Sequence, residues 1–184
     1  AMVNDGSTDN CNLDSLYLNL TSFSCADLVG NVTVTLTGED AAGNTATCTA
    51  TVDVVDNIPP QVLCPGNKTV TTNAGCTAIN ISGLDLTSVA PNIALLAGQY
   101  SDNCSGSSVT WQLSGATTGS GSGSIPSATA FNKGVTTVTY TVTDASGNNA
   151  VCNFSVSVTD NTAPVWSGVG QGPGTTITVN ANIG

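Results

Sequence analysis

Histidine and arginine are missing from the sequence altogether, and lysine occurs only at Lys68 and Lys133. Without histidine, and with no serine set beside a base, nucleophilic triads are unavailable. Twelve acids against two lysines leave a net charge of -10. Two lysines cannot neutralise a run of phosphates or anionic headgroups, which makes nucleic acid and membrane surface poor partners. No apolar run approaches membrane-spanning length, so membrane insertion is excluded as well. The opening residues AMVNDGSTDN contain neither a basic nor an apolar stretch. An export signal is therefore expected outside the sequence.

Charged residues make up only 8% of the 184-residue chain, and Gly, Ser, Thr, Asn and Val dominate. That mixture favours strands and turns over helices, so the expected class is all-β. The seven cysteines have no histidine to join them in a zinc site, and no two show the short spacing that an all-thiolate site uses. Disulfides are the remaining use, and they imply an oxidising, extracellular setting.

Sliding the sequence against itself reveals two copies of one pattern. The segment VTVTLTGEDAAGNTATCTATVDVVDNIPPQV, from Val32, aligns with TTVTYTVTDASGNNAVCNFSVSVTDNTAPVW, from Thr136, at a constant offset of 104. TDNC at Cys11 likewise matches SDNC at Cys104, at a shorter offset, and the loop-like Gly/Ser-rich run from Gly115 to Ser124 absorbs the difference. The reading is an array: residues 1–56 the C-terminal part of a first repeat, 57–160 a complete repeat, and 161–184 the start of a third. Alternation in Leu16, Leu18 and Leu20, in Val109, Trp111 and Leu113, and in Val138, Tyr140 and Val142 marks half-buried strands. Cys152, Phe154, Val156 and Val158 complete the expected sandwich core. DAAGN at Asp40 and DASGN at Asp144 are turns, and DNIPP at Asp56 is a stiff, extended linker.

The series DN.PP, CP at Cys64, DNC at Cys104 and TVTYTVTDASGNNAVCNFSVSVTDN resembles the hyalin repeat (HYR) family. The resemblance implies tandem immunoglobulin-like β-sandwich repeats acting in adhesion and extracellular matrices, and is similar at its narrowest to the large surface adhesins of gliding bacteria. The third copy departs from the pattern, with Gly168 where Cys64 would fall. Four cysteines in the complete repeat allow three connectivities. An immunoglobulin-like topology brings the first and last strands together, which pairs Cys64 with Cys152 and leaves Cys76 for Cys104. Cys11 and Cys25 could pair with each other, and Cys48 stays unpaired, through truncation or as a thiol that links subunits.

Two carboxylates such as Asp102 and Asp144 could in principle serve a glycosidase, but both lie in turn motifs repeated at Asp9 and Asp40, which argues for structure. The same residues suit calcium: Asp56, Asn57, Asp102, Asn103 and Asp144 are expected at one end of the complete repeat, where a hard cation would find oxygens. Ordinary Asx turns are the plainer alternative. Trp111, Tyr100, Tyr17 and Trp166 could stack on sugars, although Trp111 falls on a core-facing position. The threonine rows from Thr33 and Thr137 are good strand chemistry without further meaning.

The expectation is a non-catalytic spacer or stalk of an extracellular, cell-surface adhesin or filament, its partners the neighbouring repeats and its cofactor Ca2+. The alternatives are a module binding a surface glycan or matrix ligand, and a filament subunit assembled by strand donation through TTITVNANIG.

Overall fold

The computed structural model describes residues 6–91 and 94–165. The expected start of a third repeat therefore lies almost entirely outside the described residues, as do Gly168, Trp166 and the expected donor strand TTITVNANIG. What is described is an all-β, immunoglobulin-like fold with one short helical turn.

The first sheet holds β1 (Leu13–Leu18), β2 (Asn31–Asp40) and β3 (Thr45–Asp53), antiparallel in the order β1-β2-β3. A single 3-10 turn (Cys25–Leu28) precedes β2, and Ser24 starts it: its Oγ accepts from the Ala26 amide while Asp27 Oδ2 accepts from the Ser24 amide at 2.7 Å. Reciprocal capping of this kind fixes short helical turns that propensity alone would not hold. Val34 and Leu36 are buried on this sheet, whereas Leu16 is exposed at its edge.

The remaining strands build the sandwich. They are β4 (Gln61–Leu63), β5 (Lys68–Thr71), β6 (Thr77–Ala78), β7 (Thr87–Ser88), β8 (Gln99–Ser101), β9 (Ser108–Gly115), β10 (Gly119–Ser122), β11 (Phe131–Asn132), β12 (Gly134–Thr143) and β13 (Asn149–Thr159). A five-stranded sheet runs β10-β9-β12-β13-β5, with β5 parallel to β13; a three-stranded sheet runs β4-β8-β7. Between them pack Leu113, Val138, Tyr140, Phe154, Val156 and Val158, all among the buried core. These are the positions that alternation along β9, β12 and β13 selects, because successive side chains on a strand face opposite ways.

The two long hairpins share one register. Leu36 opposes Cys48 in the first, and Tyr140 opposes Cys152 in the second, each residue displaced by 104. Their turns agree as well: Asp40 Oδ1 accepts from the Ala42 and Asn44 amides, and Asp144 Oδ1 from those of Ser146 and Asn148. Gly43 and Gly147 take the positive φ these turns require.

Two expectations change. The run from Gly115 to Ser124 is not a loop, since β10 forms inside it and pairs Gly121 with Trp111. A Cβ on Gly121 would come within 2.5 Å of the indole, so glycine here is the space that the tryptophan occupies. Trp111 packs against the core but is not fully enclosed.

The cysteine pairing changes too. Cys64 is bonded to Cys152, with Cα atoms 5.6 Å apart. Cys104, however, is bonded to Cys25, not to Cys76, and Cys11, Cys48 and Cys76 are free and exposed. The reason is strand length. Cys76 faces Lys133 at the start of β12, whereas Cys104 lies beside the residues that follow its end; ten residues of strand separate the two ends by roughly 30 Å. Cys11 and Cys25 are likewise divided by β2, since β1 begins opposite Asp40 and the Cys25 turn precedes Asn31. Neither Cys76–Cys104 nor Cys11–Cys25 can close across such a span.

Candidate functional site at the Asp56 linker

Three segments converge where the chain passes from the first sheet to the sandwich. Asp56 belongs to the linker after β3, Asp102 follows β8, and Asp144 follows β12. One carboxylate oxygen from each lies within 4.8 Å of the others. The sequence places these acids at strand ends, and antiparallel strands of matched length deliver their ends to one rim of the sandwich.

Hydrogen bonds fix each carboxylate. Asp144, only 7% exposed, takes the Ser146 and Asn148 amides on Oδ1 and the Asn148 side-chain amide on Oδ2 at 2.8 Å. Asp102 accepts from the Cys104 amide on Oδ2 at 3.2 Å. Asp56 accepts on Oδ1 from the Ile58 amide and from Asn103 Nδ2. This leaves Oδ2 of Asp56 and Oδ1 of Asp102 buried with no hydrogen-bond partner. A buried polar atom without a partner carries a desolvation cost that a ligand would relieve.

The electrostatics follow from that arrangement. Burial pushes the Asp102 carboxyl above its ordinary value, and the charges of Asp144 and Asp56 add to the effect. Asp144 moves the other way: burial opposes it, but the Asn148 side chain and the amides of Asn148, Ser146 and Gly147 hold the carboxyl below its ordinary value. Hydrogen bonds given to the charged form stabilise it. One rim thus gathers three acids, with Lys133, one of only two lysines, at the far end of β12 beside Asp160, 3.9 Å from its carboxylate.

Of the five residues expected together, Asp56, Asp102, Asn103 and Asp144 meet, while Asn57 is exposed beside them. Asn148 was missed. Its Nδ2 also donates to the Asp56 carbonyl at 3.0 Å, tying the linker to the β12–β13 turn. The recurrence of Asn44, which donates to Asp40 at 2.8 Å, was the clue in the sequence. Cys25 was also missed, although its bond to Cys104 fastens the 3-10 turn to the same rim. Trp111 and Tyr100 are half-buried on separate sheets, and Tyr17 is exposed on the first sheet, so these aromatics do not assemble a stacking platform.

Residues 102–158 match the HYR domain family model. This segment is a HYR domain. The domain supplies Asp102, Asn103, Cys104, Asp144 and Asn148, and the preceding linker supplies Asp56. Over 133 residues, 72% of its length, the chain is 33% identical to a protein named "Serine-rich adhesin for platelets" from Staphylococcus aureus strain MRSA252, of which it covers 9%. It is also 33% identical to the adhesin of that name in strain MW2 and 32% identical to that in strain USA300, covering 5% of each. The chain therefore spans less than a tenth of these relatives. The chain is thus similar to parts of proteins named as adhesins, and among the described residues no helix is long and apolar enough to cross a membrane.

Proposed function

We propose that the chain is a non-catalytic, load-bearing spacer of an extracellular adhesin, in which copies of one repeat are joined end to end and the Asp56 rim is a calcium-stiffened junction. The observation that carries it is the convergence at that rim of a disulfide from the preceding sheet, a side-chain tie from Asn148 to the linker, and three carboxylates with two bare oxygens. A hard cation takes six to eight oxygens, and Asp56, Asp102 and Asp144 supply anionic ones on three different segments. An ion held there would bind linker and sandwich together. The shared register of the two hairpins at an offset of 104 supports the repeat, and the adhesin relatives support the setting.

Thermal unfolding with calcium and with chelator tests the junction. Calcium at a hundred times its dissociation constant should stabilise the folded state by about 2.7 kcal/mol, and Asp102→Asn together with Asp144→Asn should abolish the gain. An unchanged midpoint in the parent chain would reject the ion. A screen of glycans and matrix proteins on the same chain separates the spacer from a recognition module, since a specific hit would overturn the spacer reading.

A further inference from the structure

Two free cysteines sit where the molecule shows an inter-segment disulfide being made. The Asp9-Asn10-Cys11 sequence repeats Asp102-Asn103-Cys104, and the local turn is the same: the Cys11 amide donates to Asp9 Oδ2 at 2.9 Å, as the Cys104 amide does to Asp102 Oδ2 at 3.2 Å. Cys104 is bonded to a cysteine 79 residues earlier, at the linker end of the preceding sheet. Cys11 is exposed at the corresponding rim of that sheet, beside the β2–β3 turn.

The opposite end carries the complementary half. Cys25 lies in the turn before β2, and the counterpart of that turn, at the offset of 104, is the segment around Thr129 that leads into β11 and β12. It holds no cysteine. Instead β6 pairs with β11 and places Cys76 against it, the Cys76 carbonyl accepting from the Lys133 amide at 3.2 Å. Lys133 is the counterpart of Val29, four residues beyond Cys25. Its Nζ is 3.9 Å from Asp160, the counterpart of Asp56. Cys76 is therefore exposed by the start of β12, at the end where the chain leaves the sandwich, against the residue whose side chain reaches the next linker aspartate.

We infer that Cys76 is the outgoing half, and Cys11 the incoming half, of an inter-repeat disulfide of the Cys25–Cys104 kind. The partner of Cys76 is the cysteine of an exposed Asp-Asn-Cys turn on a neighbouring repeat. The bond forms by thiol–disulfide exchange with a low-molecular-weight disulfide. The Cys76 thiolate displaces one thiol to give a mixed disulfide, the partner thiolate then displaces the second, and two thiols and the new S–S bond result. Cys48 belongs to a different class, being the counterpart of Cys152, whose bond to Cys64 lies within one sandwich.

The inference rests on the repeat reading proposed above, and one experiment separates the two. A second copy of residues 57–160 is inserted between Asp160 and Asn161 of the full chain, so that Asn57 follows aspartate as before, and the protein is oxidised in glutathione buffer. Peptide mapping without reduction should find a Cys76 peptide joined to a Cys104 peptide, in addition to the Cys25–Cys104 pair, and Cys76→Ser in the first copy should leave the inserted cysteine open to alkylation. Both thiols alkylated, with the inserted Cys64–Cys152 bond formed, would overturn the inference alone. Failure of the inserted copy to form that bond would overturn the repeat reading and the inference with it.

Discussion

Tyr140 shows what a single buried polar atom costs. Its ring lies at the centre of the core, 6.2 Å from that of Phe154, and is fully buried, yet its hydroxyl has no hydrogen-bond partner. The Ile125 amide, which also bears on the hydroxyl and opposes the effect of burial, is given to Asp85 Oδ1 at 3.0 Å. Burial, reinforced by the Asp85 charge, pushes the hydroxyl far above its ordinary value of 10.0. The folded state therefore holds this proton more tightly than the unfolded chain. Its contribution is complete below pH 10.0 and is lost as pH rises toward the folded value. Tyr140→Phe is expected to leave stability at neutral pH unchanged or raise it by up to about 1 kcal/mol, because no bond is lost and a desolvated hydroxyl is removed. It should also flatten the fall in denaturation midpoint above about pH 10. A marked loss of stability at neutral pH would show that the hydroxyl has a partner after all.

At the level of elements, β10 depends on having no side chain where Trp111 lies. Gly121→Val should cost roughly 1 to 3 kcal/mol, since the new Cβ meets the indole and cannot be absorbed by a flexible side chain. Denaturant unfolding followed by tryptophan emission reads both the loss and the displaced ring. The Cys64–Cys152 bond closes 88 residues, and replacing both by serine should remove at most about 4 to 5 kcal/mol in the chain-entropy model. These elements also mark how far the sequence could be read. Alternation in β9, β12 and β13 and the DAAGN and DASGN turns were legible because pleat and turn chemistry are local. Three of the carboxylates were legible because they end strands. The β10 strand was not, because glycine and serine carry no strand preference, and only the neighbouring indole gives Gly121 its role. The Cys25–Cys104 bond was hidden for another reason: spacing arguments pair cysteines that lie close in sequence, and this bond joins residues 79 apart, on the first sheet's 3-10 turn and the segment after β8. Asn148 escaped notice because amides are judged by propensity until a carboxylate is seen beside them.

On the scale of the whole molecule, the first sheet and the sandwich are connected by a linker that Pro59 and Pro60 hold extended, and by fastenings at one rim. The proline segment limits bending, and Pro60 is itself buried while Pro59 is exposed. Further resistance to relative motion comes from Cys25–Cys104 and from the Asn148 and Asn103 ties to Asp56. Each fastening crosses the same boundary, so removing one places its share on the others. Cys25→Ser with Cys104→Ser should leave the sandwich core and its Cys64–Cys152 bond intact, because neither sulfur lies in the core cluster. The expected result is an unchanged unfolding midpoint for the sandwich, with cleavage between residues 54 and 60 accelerated several-fold in limited proteolysis, as local opening at the linker becomes cheaper. If the rim also holds calcium, that ion should restore much of the protection in the double variant, and chelator should remove it. Equal cleavage rates in parent and variant, with and without calcium, would mean that the rim carries no load and that the prolines alone set the geometry of the junction.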